Sequence, residues 1–163
     1  MEGYTVMAEE ARLQFESSNI WPSHVFLQAG VGGMAAAIAY MIRKNWLKQP
    51  KIVIVEPQAA PCLRESNLAG KPITVKGPAS NMGRLDCKTP SIIALDVINK
   101  CADYFVIISD EDAKAAVDLA AENGIQTTPS GAAGLAAVMN TERFNLDMDA
   151  ASTPFIIFSE GRS

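Results

Sequence analysis

The stretch Gln28-Ala29-Gly30-Val31-Gly32-Gly33-Met34-Ala35-Ala36-Ala37 (QAGVGGMAAA) sets three glycines within four positions, between an apolar run and an alanine-rich segment. The preceding residues, His24-Val25-Phe26-Leu27, read as a buried strand, and Met34 to Lys44 read as a mostly buried helix. A strand-to-helix turn at the carboxyl edge of a sheet offers unpaired N–H groups and the partial positive charge of a helix N-terminus. Glycines there remove the β-carbons that would hold an anion away from the backbone. The expected occupant is a phosphate cradled by the amides of Gly30 to Met34. The plainer alternative is that the glycines only let the helix pack closely on the strand.

The same grammar continues on both sides of the turn. Tyr4, Ala8, Ala11 and Phe15 mark one face of a helix from Gly3 to Ser18. A continuous apolar strand, Ile52-Val53-Ile54-Val55, runs into Glu56-Pro57. Further on come a helix from Ser91 to Asn99, a strand from Tyr104 to Ile108, and a helix opened by the capping-box pattern Ser109-Asp110-Glu111-Asp112. A third helix starts near Ser130 and a last strand covers Phe155 to Phe158. Continuous rather than alternating apolarity marks strands covered on both faces, so the fold class is α/β, a mainly parallel sheet with helices on both faces. Gly70 to Pro90 breaks the rhythm and offers at most a short strand at Ile73-Thr74-Val75, and Asn145 to Thr153 reads as a surface connection.

With 163 residues, 48% of them hydrophobic, the chain has the size of one ordinary domain, and a single α/β unit over residues 1–163 is expected. No run of 18 apolar residues and no signal-peptide pattern at Met1 to Tyr4 occurs, which makes the cytoplasm the default compartment. Fourteen basic against eighteen acidic residues, with no basic cluster, give no footprint for nucleic acid or an anionic membrane surface. A small molecule or another subunit is the expected partner. Cys62, Cys87 and Cys101 are too few and too widely spaced for a zinc site or a secreted disulfide framework, and read as reduced thiols.

The identity of the phosphate is open at this level. Gly30-Val31-Gly32-Gly33-Met34-Ala35 satisfies G-x-G-x-x-G/A, and Glu56 ends the next strand where a dinucleotide fold places its ribose-binding acid, which favours NAD. Two features weigh against it: a helix precedes the first strand, and a second small-residue turn, Thr127-Thr128-Pro129-Ser130-Gly131-Ala132-Ala133-Gly134-Leu135, opens another helix. Taken with IVIVEPQAAPCL, NMGRLDCKTPS and VIISDEDA, the two turns resemble those of the pyridoxal-phosphate enzymes of fold type II, the tryptophan-synthase β-like group. Within that group the likeness is nearest to the diaminopropionate ammonia-lyases, then to the serine and threonine dehydratases, and it runs along nearly the whole chain.

The resemblance implies that pyridoxal 5'-phosphate is the cofactor. Its phosphate would rest on the amides of Gly30, Val31, Gly32, Gly33 and Met34, and Ser130 would face the pyridine nitrogen. A neutral hydroxyl there leaves the ring nitrogen largely unprotonated, which moderates the electron sink and suits elimination; Ser130 can equally serve as a helix N-cap. The resemblance also implies part of a large domain, a small amino-acid substrate, a homodimer, and β-elimination to pyruvate and ammonia. The Schiff-base lysine and the acidic bases of the family lie in an N-terminal half that is expected to be absent, so no catalytic residue is assigned. None of Lys44, Lys48, Lys51, Lys71, Lys76, Lys100 or Lys114 has the family's lysine context. Lys88 stands where the resemblance favours a glycine; it could reach a site at the sheet's carboxyl edge but is expected to face solvent, and Asp86, an alternative base or substrate contact, is expected to be a surface charge. Relatives can bind a divalent cation through the Glu-Pro loop; Glu56 and Ala60 fit that pattern but Cys62 replaces the oxygen a hard cation needs, so no metal is expected. Cys62 and Cys87 lie in two loops of the pattern and could pair, although free thiols are the ordinary state. His24, the only histidine, is expected to be structural. The other readings are a dehydratase-like enzyme, an NAD-binding domain, and an inactive truncated module that pairs with a full-length subunit.

Overall fold

The computed structural model describes residues 2–161 and contains six α-helices, one short 3-10 turn and a four-stranded sheet. Helix α1 (Glu2–Ser18) leads into β1 (His24–Gln28), followed by α2 (Gly33–Asn45), β2 (Lys51–Pro57) and α3 (Cys62–Ala69). Then come α4 (Ile92–Cys101), β3 (Tyr104–Ile108), α5 (Asp110–Glu122), α6 (Ala133–Met139) and β4 (Pro154–Ile156). The strands lie in the order β3-β2-β1-β4 and every pairing is parallel.

The period-two geometry of a strand splits the apolar runs between two layers. Val25 and Leu27 of β1, with Ile52 and Ile54 of β2, pack with α1, α2 and α4. Phe26, Val53 and Val55 point the other way, into α5 and α6 through Ala113, Ala116, Ala133 and Ala136. All seven strand side chains are fully buried, each contributing roughly 1.5–3 kcal/mol of apolar burial. Both faces are covered, which is why these strands carry no polar alternation.

Four rings close the amino-terminal layer. Phe15 of α1, Trp21, Trp46 at the end of α2 and Phe155 of β4 meet at centroid distances of 5.1 to 6.3 Å. On the opposite edge Arg43 donates to the Cys101 carbonyl and pairs with Asp103 at 2.6 Å, tying α2 to the α4–β3 connection. His24 is buried and structural: Nε2 donates to the Leu146 carbonyl at 2.7 Å, while Nδ1 meets the Ser23 hydroxyl.

Two expectations change. Ile73 to Val75 form no strand; Val75 N–H bonds the Lys88 carbonyl and the segment lies along the 84–90 loop instead. The last strand is Pro154–Ile156 and does not reach Phe158, because β1 turns away after Gln28 and the Gln28 carboxamide, not backbone, takes the Ile157 carbonyl at 2.7 Å. Helix α3 was unforeseen, although Pro61 before its start and Gly70 after its end, with φ of 66°, are ordinary helix punctuation.

Candidate functional site

The glycine turn sits at the carboxyl end of β1 and opens α2, as the strand-turn-helix reading requires. Gly32 adopts φ of 98°, a conformation that disfavours any side chain. The first helical bond is Ala36 N–H to the Gly32 carbonyl, so the N–H groups of Gly33, Met34 and Ala35 have no intrahelical acceptor. Gly32 supplies no side-chain cap either. Of the residues that carry these donors, Gly33 and Met34 border a cleft of about 370 Å³, with the helix dipole behind them.

That cleft is lined by residues 28–34, by Arg84, Leu85 and Cys87 opposite, and by Tyr4, Ser159 and Glu160 at its ends. All five expected phosphate contacts, Gly30, Val31, Gly32, Gly33 and Met34, therefore border one space. A methyl added to Gly33 would meet nothing within 4 Å, so the first turn of α2 opens onto room for a ligand. Gly30 is the reverse: its β-carbon would lie 2.9 Å from both the Arg84 carbonyl and the Cys87 sulfur. One glycine leaves space free, and the other lets the 84–87 loop close down. An anion the size of a phosphoryl group, delivered to bare amides beside a small-residue wall, fits this arrangement.

Ser130 lies behind the wall instead of on it. It is buried, and its Oγ accepts the Arg84 N–H at 3.1 Å. Because the amide uses a lone pair of that oxygen, the hydroxyl proton remains available to an acceptor such as a ring nitrogen. The N-cap alternative does not hold: α6 starts at Ala133 with Ala132 as its cap, and Gly131 N–H is taken by Thr128 Oγ1. Ser130→Ala is expected to leave the Arg84 N–H without its acceptor and to lower stability by about 1–3 kcal/mol, as read from urea unfolding.

Gln28, which sequence reasoning passed over, joins the two turns. Its amide nitrogen donates to the Ile157 carbonyl at 2.7 Å, the Ser159 hydroxyl at 3.1 Å and the Gly131 carbonyl at 3.4 Å, while Oε1 is buried without a partner. A polar residue at the end of an otherwise apolar strand was the available signal.

Lys88 and Asp86 differ from the expected solvent charges. Lys88 Nζ donates to the Ala59 and Pro78 carbonyls and pairs with Asp86. The Lys88 ammonium holds the Asp86 carboxyl below its usual range. The pair fixes the loop and leaves neither charge free for chemistry. No lysine borders the cleft among the described residues.

Glu56 is also spoken for. It is fully buried, and its two oxygens accept the Leu63 and Arg64 amides at 2.7 and 2.8 Å, capping α3. Burial pushes its carboxyl up to about 7, against the pull of those amides and of Arg64. A carboxylate turned into its own fold cannot hold a ribose, which removes the acid on which the dinucleotide alternative depended. Cys62, Cys87 and Cys101 are free thiols; burial pushes Cys62 up to about 12, an inert state.

Residues 1–159 match the family described as pyridoxal-phosphate dependent enzyme. Diaminopropionate ammonia-lyase of Salmonella typhimurium strain LT2 is 34% identical, over 99% of this chain and 45% of its own length. The Escherichia coli K12 enzyme of the same name is 35% identical over 73% of this chain and 30% of its own. Among solved structures, a threonine deaminase from T.th. superposes with a TM-score of 0.87 at 21% identity, over 99% of this chain and 53% of that one. Diaminopropionate ammonia lyase from Escherichia coli gives 0.79 at 27% identity, over 99% and 44%. The chain thus spans less than half the length of the curated ammonia-lyases it matches.

Proposed function

The chain belongs to the pyridoxal-phosphate dependent enzymes, and on that premise we propose that it is the cofactor-binding C-terminal portion of an amino-acid ammonia-lyase acting on diaminopropionate. The whole protein would expel the β-amino group and release pyruvate and ammonia. The observation that carries the reading is that residues 30–34, including the first two residues of α2, border one cleft, with open space where a methyl at Gly33 would stand.

Pyridoxal phosphate, when bound, supplies a conjugated ring that takes up the electron pair left at the substrate α-carbon after proton loss. The residues of this chain bind and orient. Gly30, Val31, Gly32, Gly33 and Met34 would hold the phosphate through their backbone, and Ser130 would offer its remaining proton to the ring nitrogen. A hydroxyl is too weak an acid to protonate that nitrogen, so the ring is kept a moderate sink. Residues 1–163 would form one unit, completed by an upstream half that carries the lysine and the bases. No described helix is long and apolar enough to cross a membrane; we place the whole protein in the cytoplasm as a homodimer. Exposed Ile93 on α4, beside Tyr40 of α2, supports the association, since apolar patches of this kind favour burial against another surface.

Thermal unfolding with each cofactor tests the reading. Pyridoxal phosphate at a hundred times its dissociation constant stabilises the native form by about 2.7 kcal/mol, a rise of roughly 5–10 °C for a chain of this size. NAD is expected to give no shift. A rise with NAD alone would reverse the assignment.

A further inference from the structure

Glu56 is a buried acid that takes no part in the contacts proposed for the cofactor, yet it lies one step behind them. Helix α3 begins after Pro61 with no side-chain cap from that residue, and the two oxygens of Glu56 take the place of one. The first two residues of α3 then brace the back of the glycine turn. Cys62 Sγ donates to the Gly30 carbonyl at 3.6 Å, and Leu63 Cδ1 lies 3.2 Å from where a β-carbon of Gly32 would stand. Both side chains are fully buried, so the first turn of α3 cannot shift without moving the turn it supports.

We propose that Glu56 is a positioning residue, which holds the turn Gly30–Met34 in its anion-receiving shape through the capped first turn of α3. The functional part of this inference rests on the cofactor reading above. The grip requires both oxygens to accept, which only the ionised carboxylate does fully; protonation turns one of them into a donor facing an amide N–H. The charged and titratable groups around Glu56 are Arg64, which favours the ionised form, and Glu65 and Cys62, all on α3. Across the sheet its β3 partner is the apolar Ile107.

With the carboxyl raised by burial to about 7, affinity and stability respond to pH in opposite directions. The native state holds the proton more tightly than the unfolded chain, so the stability contributed by Glu56 is complete below pH 4.5 and is lost as pH rises through 7. The two-amide grip is gained over the same rise. A residue that only supported the fold would make ligand affinity follow stability.

The experiment uses the full chain as wild type, Glu56→Gln and Cys62→Ala, with pyridoxamine 5'-phosphate as probe because it has the phosphate but no aldehyde to modify surface lysines. At pH 8 the Gln variant is expected to bind roughly tenfold more weakly, the low end for one lost charge-assisted bond. That ratio should fall to about one at pH 6, where Glu56 is mostly protonated and resembles glutamine; the comparison between variants cancels the titration of the probe. Amide hydrogen exchange at residues 30–36, measured without ligand at a single pH, should quicken in both variants while β3 and α5 stay protected. Cys62→Ala cuts the link beyond the cap and serves should the Gln variant not fold. A ratio independent of pH, or exchange unchanged at the turn, overturns the proposal. Quickened exchange in a chain that binds no probe supports the positioning role and removes the cofactor reading alone.

Discussion

Gly30→Ala is expected to cost about 1–3 kcal/mol of stability and roughly 10–100-fold in cofactor affinity. The cause is steric. The new methyl would stand 2.9 Å from the Arg84 carbonyl, 2.9 Å from the Cys87 sulfur and 3.2 Å from Leu85 Cα. Two of these atoms are backbone, and the loop that carries them is held by Leu85 and Asp86 N–H groups on the Met82 carbonyl, with Met82 itself fully buried. Pushing that loop outward also draws the Arg84 amide off Ser130, so one substitution disturbs both the glycine turn and the contact that ties the 84–87 loop to Ser130. Gly33→Ala is the control that separates fold from binding. Its methyl meets no atom of the chain, and replacing glycine by alanine where the backbone accepts it stabilises by about 0.4–1 kcal/mol through the unfolded chain. It should therefore raise the melting temperature while weakening pyridoxal phosphate roughly tenfold. Thermal melts and ligand titrations of both variants check this; a Gly33→Ala chain that binds as tightly as wild type would show that the anion sits elsewhere.

Trp46→Ala is expected to carry the largest cost to the fold, about 3–5 kcal/mol, or a fall in melting temperature of roughly 6–20 °C. Trp46 ends α2 and touches rings from α1, from the α1–β1 connection and from β4. Its removal opens a cavity where four segments converge, and edge-to-face pairs add about 0.5–1.5 kcal/mol each beyond their area. Its indole nitrogen is buried with no partner. Trp46→Phe, which discards that donor and keeps most of the ring, should cost well under half as much. Equal losses from the two substitutions would mean that packing around Trp46 is not the source of the stability.

The sheet and the glycine turn were legible because their signals are local. An uninterrupted run such as Ile52 to Val55 has few destinations other than a strand covered on both sides, and three glycines between a strand and a helix specify a bare backbone wherever the chain folds. The Ser109 capping box was readable for the same reason, its two partners being three residues apart. What escaped depends on distant partners. Gln28 meets Ile157 and Ser159 across 129 and 131 residues. Lys88 and Asp86 look like solvent charges until Ala59 and Pro78 are brought over them. Glu56 looked like a ribose or cation ligand because its type and place match both, and only the arrival of α3 amides shows its use. Ser130 was located by resemblance, and its hidden bond to Arg84 N–H could not be foreseen from residue type.

The strand order has a consequence for how the chain is made. One flank of β1 is completed by β2 soon after it is synthesised, but the other waits for β4, and 130 residues separate Ser23 from its partner Thr153. At about 5–20 residues per second of translation, that flank stays open for roughly 6 to 26 s in each nascent copy. Crowded polysomes would be the place where neighbouring copies compete for it.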